Sequence, residues 1–165
     1  MTKRSRVWIL PSLFISSLRI LELSNNQLST IKQEQLKTIW FLKLSNNNLD
    51  GNNFWGQISD FSFYGMFLDL SNNQFSGKLP RWSVNSTQLE AIDLSKNHFK
   101  GLIPRDFCKL DQLLYCDLSK NNLSGYIPSC FSSPSLIHVH LSKNRLSGPL
   151  TYGFYNSSFL VMMDL

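Results

Sequence analysis

No apolar run in the sequence reaches the roughly 18 residues that a membrane-spanning helix needs, so no stretch of it reads as a transmembrane helix. Charge is sparse: 16 basic residues stand against 11 acidic ones, for a net charge of +5. Three of the basic residues, Lys3, Arg4 and Arg6, sit at the front, and the rest are scattered. The dense basic run of a nucleic-acid binder is missing. So are the glycine-rich motifs of nucleotide-binding proteins and kinases. Cysteine occurs three times, at Cys108, Cys116 and Cys130. What is present is enough apolar material to fold, 42% of 165 residues, at a length that suits one domain.

That material is periodic. A leucine directly precedes serine at Leu23, Leu44, Leu70, Leu94, Leu118 and Leu141, and the last residue, Leu165, falls where a seventh is due. The intervals are 21, 26, 24, 24, 23 and 24 residues. A fixed period of this size means a solenoid, and the pattern L-x-x-L-x-L-x-x-N-x-L is a leucine-rich repeat. With the asparagine at slot nine, slots one, four and six are Leu89, Ile92 and Leu94 in the central copy, then Leu113, Cys116 and Leu118, then Leu136, Val139 and Leu141. Slots four and six lie two apart, so in a strand both enter the core, while slots three and five face the other way. One such strand cannot bury its apolar side alone; stacked copies build a parallel sheet and a continuous core.

Slot nine holds Asn26, Asn47, Asn73, Asn97, Asn121 and Asn144. An amide offers donors and an acceptor, so six aligned asparagines are expected to form a ladder that satisfies backbone groups where the chain leaves the strand. After the ladder comes Gly-x-hydrophobic-Pro, as Gly77/Leu79/Pro80, Gly101/Ile103/Pro104 and Gly125/Ile127/Pro128, with Gly148-Pro149-Leu150 a variant. The full phrase, L-x-L-S-x-N-x-L-S-G-x-I-P, resembles the plant-type leucine-rich repeat of receptor-like proteins and receptor-like kinases over about residues 18–165. The resemblance implies an α/β repeat fold: a leucine-rich-repeat solenoid with a parallel β-sheet on the concave face, and short strands, turns and short helices on the convex side.

Two domain segments are expected, an uncertain leader at 1–17 and the solenoid at 18–165, with six repeats and a partial seventh. The leader combines basic residues with an apolar stretch, as a signal peptide does. It also reads as the remnant of an earlier coil, because Pro11-Ser12-Leu13-Phe14 matches Pro128-Ser129-Cys130-Phe131. Copy two repeats the N-x-F-x-G-x-I phrase at Asn52-x-Phe54-x-Gly56-x-Ile58, read either as a local duplication or as a bulge exposing Phe54 and Trp55. Cys116 takes a core leucine's place and is expected to be a buried thiol. Cys108 and Cys130 occupy adjacent coils, and spacing leaves their pairing open. The paired cysteines that cap secreted members of the family are missing, which suggests an internal piece of a longer receptor or a shortened gene product. Sequons at Asn85, Asn122 and Asn156 are candidate glycan acceptors outside the expected strands, provided the chain enters the secretory pathway.

On the concave face, slot three reads Ile20, Phe41, Phe67, Ala91, Tyr115, His138 and Met162; slot five reads Glu22, Lys43, Asp69, Asp93, Asp117, His140 and Asp164; slot eight reads Asn25, Asn46, Asn72, Lys96, Lys120 and Lys143. Strands about 4.8 Å apart turn these columns into aromatic, acidic and basic stripes. Carboxylates that close resist joint ionisation unless lysines or the slot-seven serines compensate. A general-acid pair is not expected, since no nucleophile or pocket accompanies it. His138 and His140 share a face but lack a third ligand, so neither a metal nor another cofactor is expected. The partner-binding candidates are Phe41, Phe67, Asp69, Asp93, Lys96, Tyr115, Asp117, Lys120, His138 and His140. By resemblance, the chain is a non-enzymatic recognition module of a plant cell-surface receptor at the plasma membrane. It would take a protein or peptide ligand and signal in defence or development through a co-receptor kinase. Two alternatives are a secreted inhibitor of cell-wall-degrading enzymes, which predicts cysteine-paired caps, and a non-signalling fragment.

Overall fold

Slots three to five are extended strands in the computed structural model, which describes residues 7–8, 17–31, 36–50, 63–82, 88–129, 135–150, 154 and 160–165. In chain order the strands are β1 (Val7–Trp8), β2 (Ile20–Glu22), β3 (Thr30–Ile31), β4 (Phe41–Lys43), β5 (Phe67–Asp69), β6 (Ser76–Gly77), β7 (Ala91–Asp93), β8 (His98–Gly101), β9 (Tyr115–Asp117), β10 (Asn122–Gly125), β11 (His138–His140), β12 (Arg145–Leu146) and β13 (Met162–Asp164). Seven of them form one parallel sheet in the order β13-β11-β9-β7-β5-β4-β2. Its register aligns equal slots: Phe41 pairs with Phe67, Phe67 with Ala91, Ala91 with Tyr115, and Tyr115 with His138.

The core follows from the two-residue alternation. Leu42, Leu44, Leu68, Leu70, Ile92, Leu94, Cys116, Leu118, Val139 and Leu141 are all buried. Full burial of such a side chain stabilises by about 1.5–3 kcal/mol, and each coil adds several. Cys116 is a free thiol whose ionisation burial pushes well above the ordinary range, so it packs as a small hydrophobe. Phe75 and Phe99 extend the core toward the second sheet, stacked with centroids 6.0 Å apart.

That second sheet is built from the Gly-x-hydrophobic-Pro segments. β6, β8 and β10 each end on the glycine of the element, and with β12 they form a parallel sheet in the order β12-β10-β8-β6. The glycines Gly77, Gly101, Gly125 and Gly148 have φ between 77° and 87°, a region that side-chain-bearing residues avoid. Crowding adds to this at Gly125 and Gly148, where an added Cβ would run into Leu102 and Tyr126 of the coil before. After Pro104, whose fixed φ suits a helix start, a 3-10 helix spans Arg105–Lys109.

Between the two sheets the chain turns at slot eight. Asn25, Asn46, Asn72, Lys96, Lys120 and Lys143 all have φ between 52° and 59°. Asparagine tolerates this left-handed backbone; lysine is less suited to it. The bend hands each strand over to slot nine. Near the front, β1 pairs in parallel with β3. Val7 and Trp8 precede Pro11 by the same spacing at which Ser76 and Gly77 precede Pro80.

Candidate functional site

The asparagine column stitches neighbouring coils. Asn97 donates through Nδ2 to the carbonyls of Leu94 and Ser95 in its own coil and of Leu70 in the coil before, while its Oδ1 accepts the Phe75 amide. Asn47, Asn73, Asn121 and Asn144 each accept the corresponding amide, from Leu28, Leu49, Phe99 and Leu123, at 3.0–3.1 Å. Asn26 is exposed and bonds within its own coil, to Leu23 and Ser24. The ladder holds the strand ends in line, and hence the columns of the concave face.

Two aromatic groups stand on that face. Phe41 and Phe67 stack with centroids 4.2 Å apart and planes 5° from parallel. One strand of the sheet, β7, separates that pair from the second group, in which Tyr115 lies 5.6 Å from His140 and 6.2 Å from His138. All five side chains are half-buried. Burial pushes the Tyr115 phenol up to about 12, with the Asp117 and Asp93 carboxylates adding to the effect. The phenol stays protonated and available as a donor.

The acidic column differs from the sequence expectation in two ways. Asp69 is buried, only 7% exposed, and its Oδ1 accepts both the Ser71 amide (2.9 Å) and the Ser71 hydroxyl (2.7 Å). It closes a turn and presents no free carboxylate to a partner. The slot-eight lysines, moreover, do not pair with the stripe, whose one ion pair among the described residues lies within slot five. Among the described residues the ion pairs are Lys43–Glu22 at 3.3 Å and Lys109–Asp106 at 2.6 Å, and neither Lys96 nor Lys120 takes part. The serine two positions on serves instead: Asp93 accepts the Ser95 amide and Asp117 the Ser119 amide, local bonds that Asp makes readily. Asp164 accepts the Ser142 hydroxyl across coils. Asp93 sits in mid-column, and burial raises its carboxyl to about 6 against the opposing pull of Ser95, with Asp117 and Asp69 raising it further.

Lys96 and Lys120 lie on the left-handed turn beyond the strands, exposed. They border the second sheet as much as the concave one. Asn122 is also exposed, but it opens strand β10 rather than lying outside strands. Asn85, Asn156, Phe54, Trp55 and Cys130 fall outside the described residues. Cys108 is disulfide-bonded. Among the described residues no group of three or more His, Cys, Asp or Glu is placed to hold a metal, and no helix is long and apolar enough to cross a membrane.

Two features escaped the slot-three and slot-five reading. Slot two carries Trp40, 56% exposed with the Arg19 guanidinium 5.9 Å from its ring centre, then Met66 and Leu114, widening the apolar rim of the concave sheet. The x of Gly-x-hydrophobic-Pro carries exposed Leu102 and Tyr126. Reading those two columns across the copies would have exposed both.

Comparison with known proteins follows this geometry. The family model described as "Leucine rich repeat" matches residues 66–123, and a second one of the same description matches residues 17–39. No curated protein sequence matches the chain. Among solved structures, the Arabidopsis receptor kinase HAESA, in complex with the peptide hormone IDA and the co-receptor SERK1, is similar over 91% of this chain at 32% identity and a TM-score of 0.78. The BIR2 ectodomain from Arabidopsis thaliana is similar over 80% of this chain and 71% of its own, at 32% identity and a TM-score of 0.63. The plant peptide hormone receptor RGFR1, in complex with RGF2, covers 88% at 25% identity and a TM-score of 0.64. The chain spans about a quarter of the HAESA and RGFR1 chains, 26% and 27%.

Proposed function

The chain belongs to the plant-type leucine-rich-repeat family of receptor ectodomains, and from that premise we propose that it is an extracellular recognition module whose concave sheet binds a peptide or protein ligand. The observation that carries this reading is the aromatic surface: a Phe41–Phe67 stack and a Tyr115–His138–His140 cluster on one sheet, half-buried and outside the core. A few such anchors within a polar surround carry most of the affinity of a binding site. Asp93 and Asp117 supply acceptors beside Tyr115. HAESA and RGFR1, similar along most of this chain, are crystallised with peptide hormones, and HAESA also with a co-receptor. Signalling through a partner kinase is proposed on that likeness. The bonded state of Cys108 supports an oxidising, extracellular setting, because disulfides persist there. We also infer that Val7–Trp8 is the second-sheet strand of a coil lying ahead of the first repeat, since it pairs with β3 at the spacing of β6.

The test is a library of synthetic plant-secreted peptides titrated against the chain and against Tyr115→Ala. A peptide that loses at least about tenfold in affinity, while the variant melts within a few degrees of the parent, supports the reading. Peptides that bind Tyr115→Ala and Phe67→Ala as tightly as the parent would remove the concave face from consideration.

A further inference from the structure

Charge is segregated between the two sheets. The concave strands carry Glu22, Asp69, Asp93, Asp117 and Asp164 against one lysine, Lys43, which pairs with Glu22, whereas the stretches 74–81, 95–105, 119–129 and 142–150, which form the second sheet and its turns, contain no aspartate or glutamate. On the coil before them, Asp50 bridges to Gln74 and stands at the edge of this surface. Along the second sheet buried residues alternate with exposed ones: Phe99 is buried between His98 and Lys100, and Leu123 follows exposed Asn122. The outward positions include Lys78, Lys100 and Arg145, with Arg105 just past the proline. Lys96, Lys120 and Lys143 line the adjoining turn. None of these seven cations enters an ion pair among the described residues.

The same surface has an apolar groove. Leu102 is 63% exposed and Tyr126 68% exposed, each lying over the glycine of the next coil. Between them, with Ile103, Ile127 and Pro128 behind and Arg105 at one side, lies a groove of about 450 Å³. A surface meant only for a polyanion needs no such anchors. Unpaired cations around exposed aliphatic and aromatic side chains match a partner that brings carboxylates and an apolar side chain together.

We propose that the second-sheet flank is a docking surface, separate from the concave site, for an acidic protein segment that seats one apolar side chain between Leu102 and Tyr126. Its carboxylates meet Lys78, Lys100 and Arg105. Complementary charge speeds encounter and selects the partner, and the apolar anchor holds it.

The probe is a capped peptide of aspartate and glutamate with one central leucine, titrated by calorimetry at low and at physiological salt. Binding should weaken as salt screens the exposed charges. It should fall roughly tenfold with Lys100→Glu and again with Tyr126→Ala. Lys37→Glu, the same charge change on an exposed residue elsewhere, should leave it unchanged. Replacing the central leucine by serine should reproduce the Tyr126→Ala loss. Equal affinity for the leucine and serine peptides, tighter capture of an oligogalacturonate of matched charge, or no peptide binding at low salt would each overturn the proposal. So would a glycan on Asn122 in chain produced by plant cells, since Asn122 is the register partner of Lys100 and its glycan would screen that lysine.

Discussion

Asp93 makes the stability of the fold depend on pH. Its carboxyl is raised to about 6 in the fold from an ordinary 3.8. A raised acid favours the protonated folded state, so this stabilisation is complete below about 3.8 and is lost as pH rises through about 6. The size of the displacement sets a ceiling of about 3 kcal/mol. Asp93→Asn keeps an acceptor for the Ser95 amide and removes the titration. The variant should melt higher than the parent at pH 7.5 and level with it near pH 4; identical profiles would show Asp93 to be freely solvated. The ladder gives a second contrast. Asn97 is buried with four bonds, and its neighbour along the sequence pattern, Asn122, is exposed. Losing a buried hydrogen-bonding partner costs about 1–3 kcal/mol, so Asn97→Ala should lower the denaturation midpoint clearly and Asn122→Ala hardly at all.

At the scale of the element, the glycine closing each second-sheet strand performs two tasks, and they can be separated. Gly125→Ala should cost about 1–2 kcal/mol through its positive φ and more through contact with Leu102. In a Leu102→Ala background the second part should vanish and the first remain, as thermal melts of the four variants would show. An equal cost in both backgrounds would mean that Leu102 simply moves aside. The two-residue alternation and the repeat period made both sheets legible in the sequence, down to which residues face each other across the concave strands. The turn between the sheets was less so. Asn25, Asn46 and Asn72 hint at a left-handed backbone, but the lysines in the later copies hide it, because lysine has no preference for that region. For the acidic column the sequence offered two compensators, lysines and slot-seven serines, and it is the serines that bond Asp69, Asp93 and Asp117. Lysine and aspartate look like partners in a column diagram, yet Asp69, Asp93 and Asp117 each accept the amide of the serine two residues along their own chain. That bond is local and needs no long side chain to be ordered.

For the molecule as a whole, secretion is the proposal with the most direct consequence. Asn85 and Asn156 should carry glycans when the chain is made in plant cells, and a glycan-removing enzyme should shift the mass. An unshifted, cytosolic product would set the extracellular reading aside while leaving the fold untouched. The segregation of charge has a consequence at this scale too. Two sheets of opposite character on one solenoid allow two partners to be bound at once, each with its own salt dependence, and a variant such as Lys100→Glu should affect only one of them.

The ladder also gives the molecule a direction in time. Each slot-nine asparagine after Asn26 secures an amide of the coil before it: Asn47 that of Leu28, Asn73 that of Leu49, Asn97 that of Phe75, Asn121 that of Phe99 and Asn144 that of Leu123. Amide hydrogens exchange with solvent when such bonds open. Deuterium uptake at Phe99 therefore clocks the opening of the coil that follows it, and uptake at Leu123 clocks the coil of Asn144. Opening at the trailing end strips a buried amide of its acceptor, whereas opening at the leading end leaves only an asparagine facing water, as Asn26 already does. Exchange should thus travel along the solenoid asymmetrically, each coil guarded by its successor.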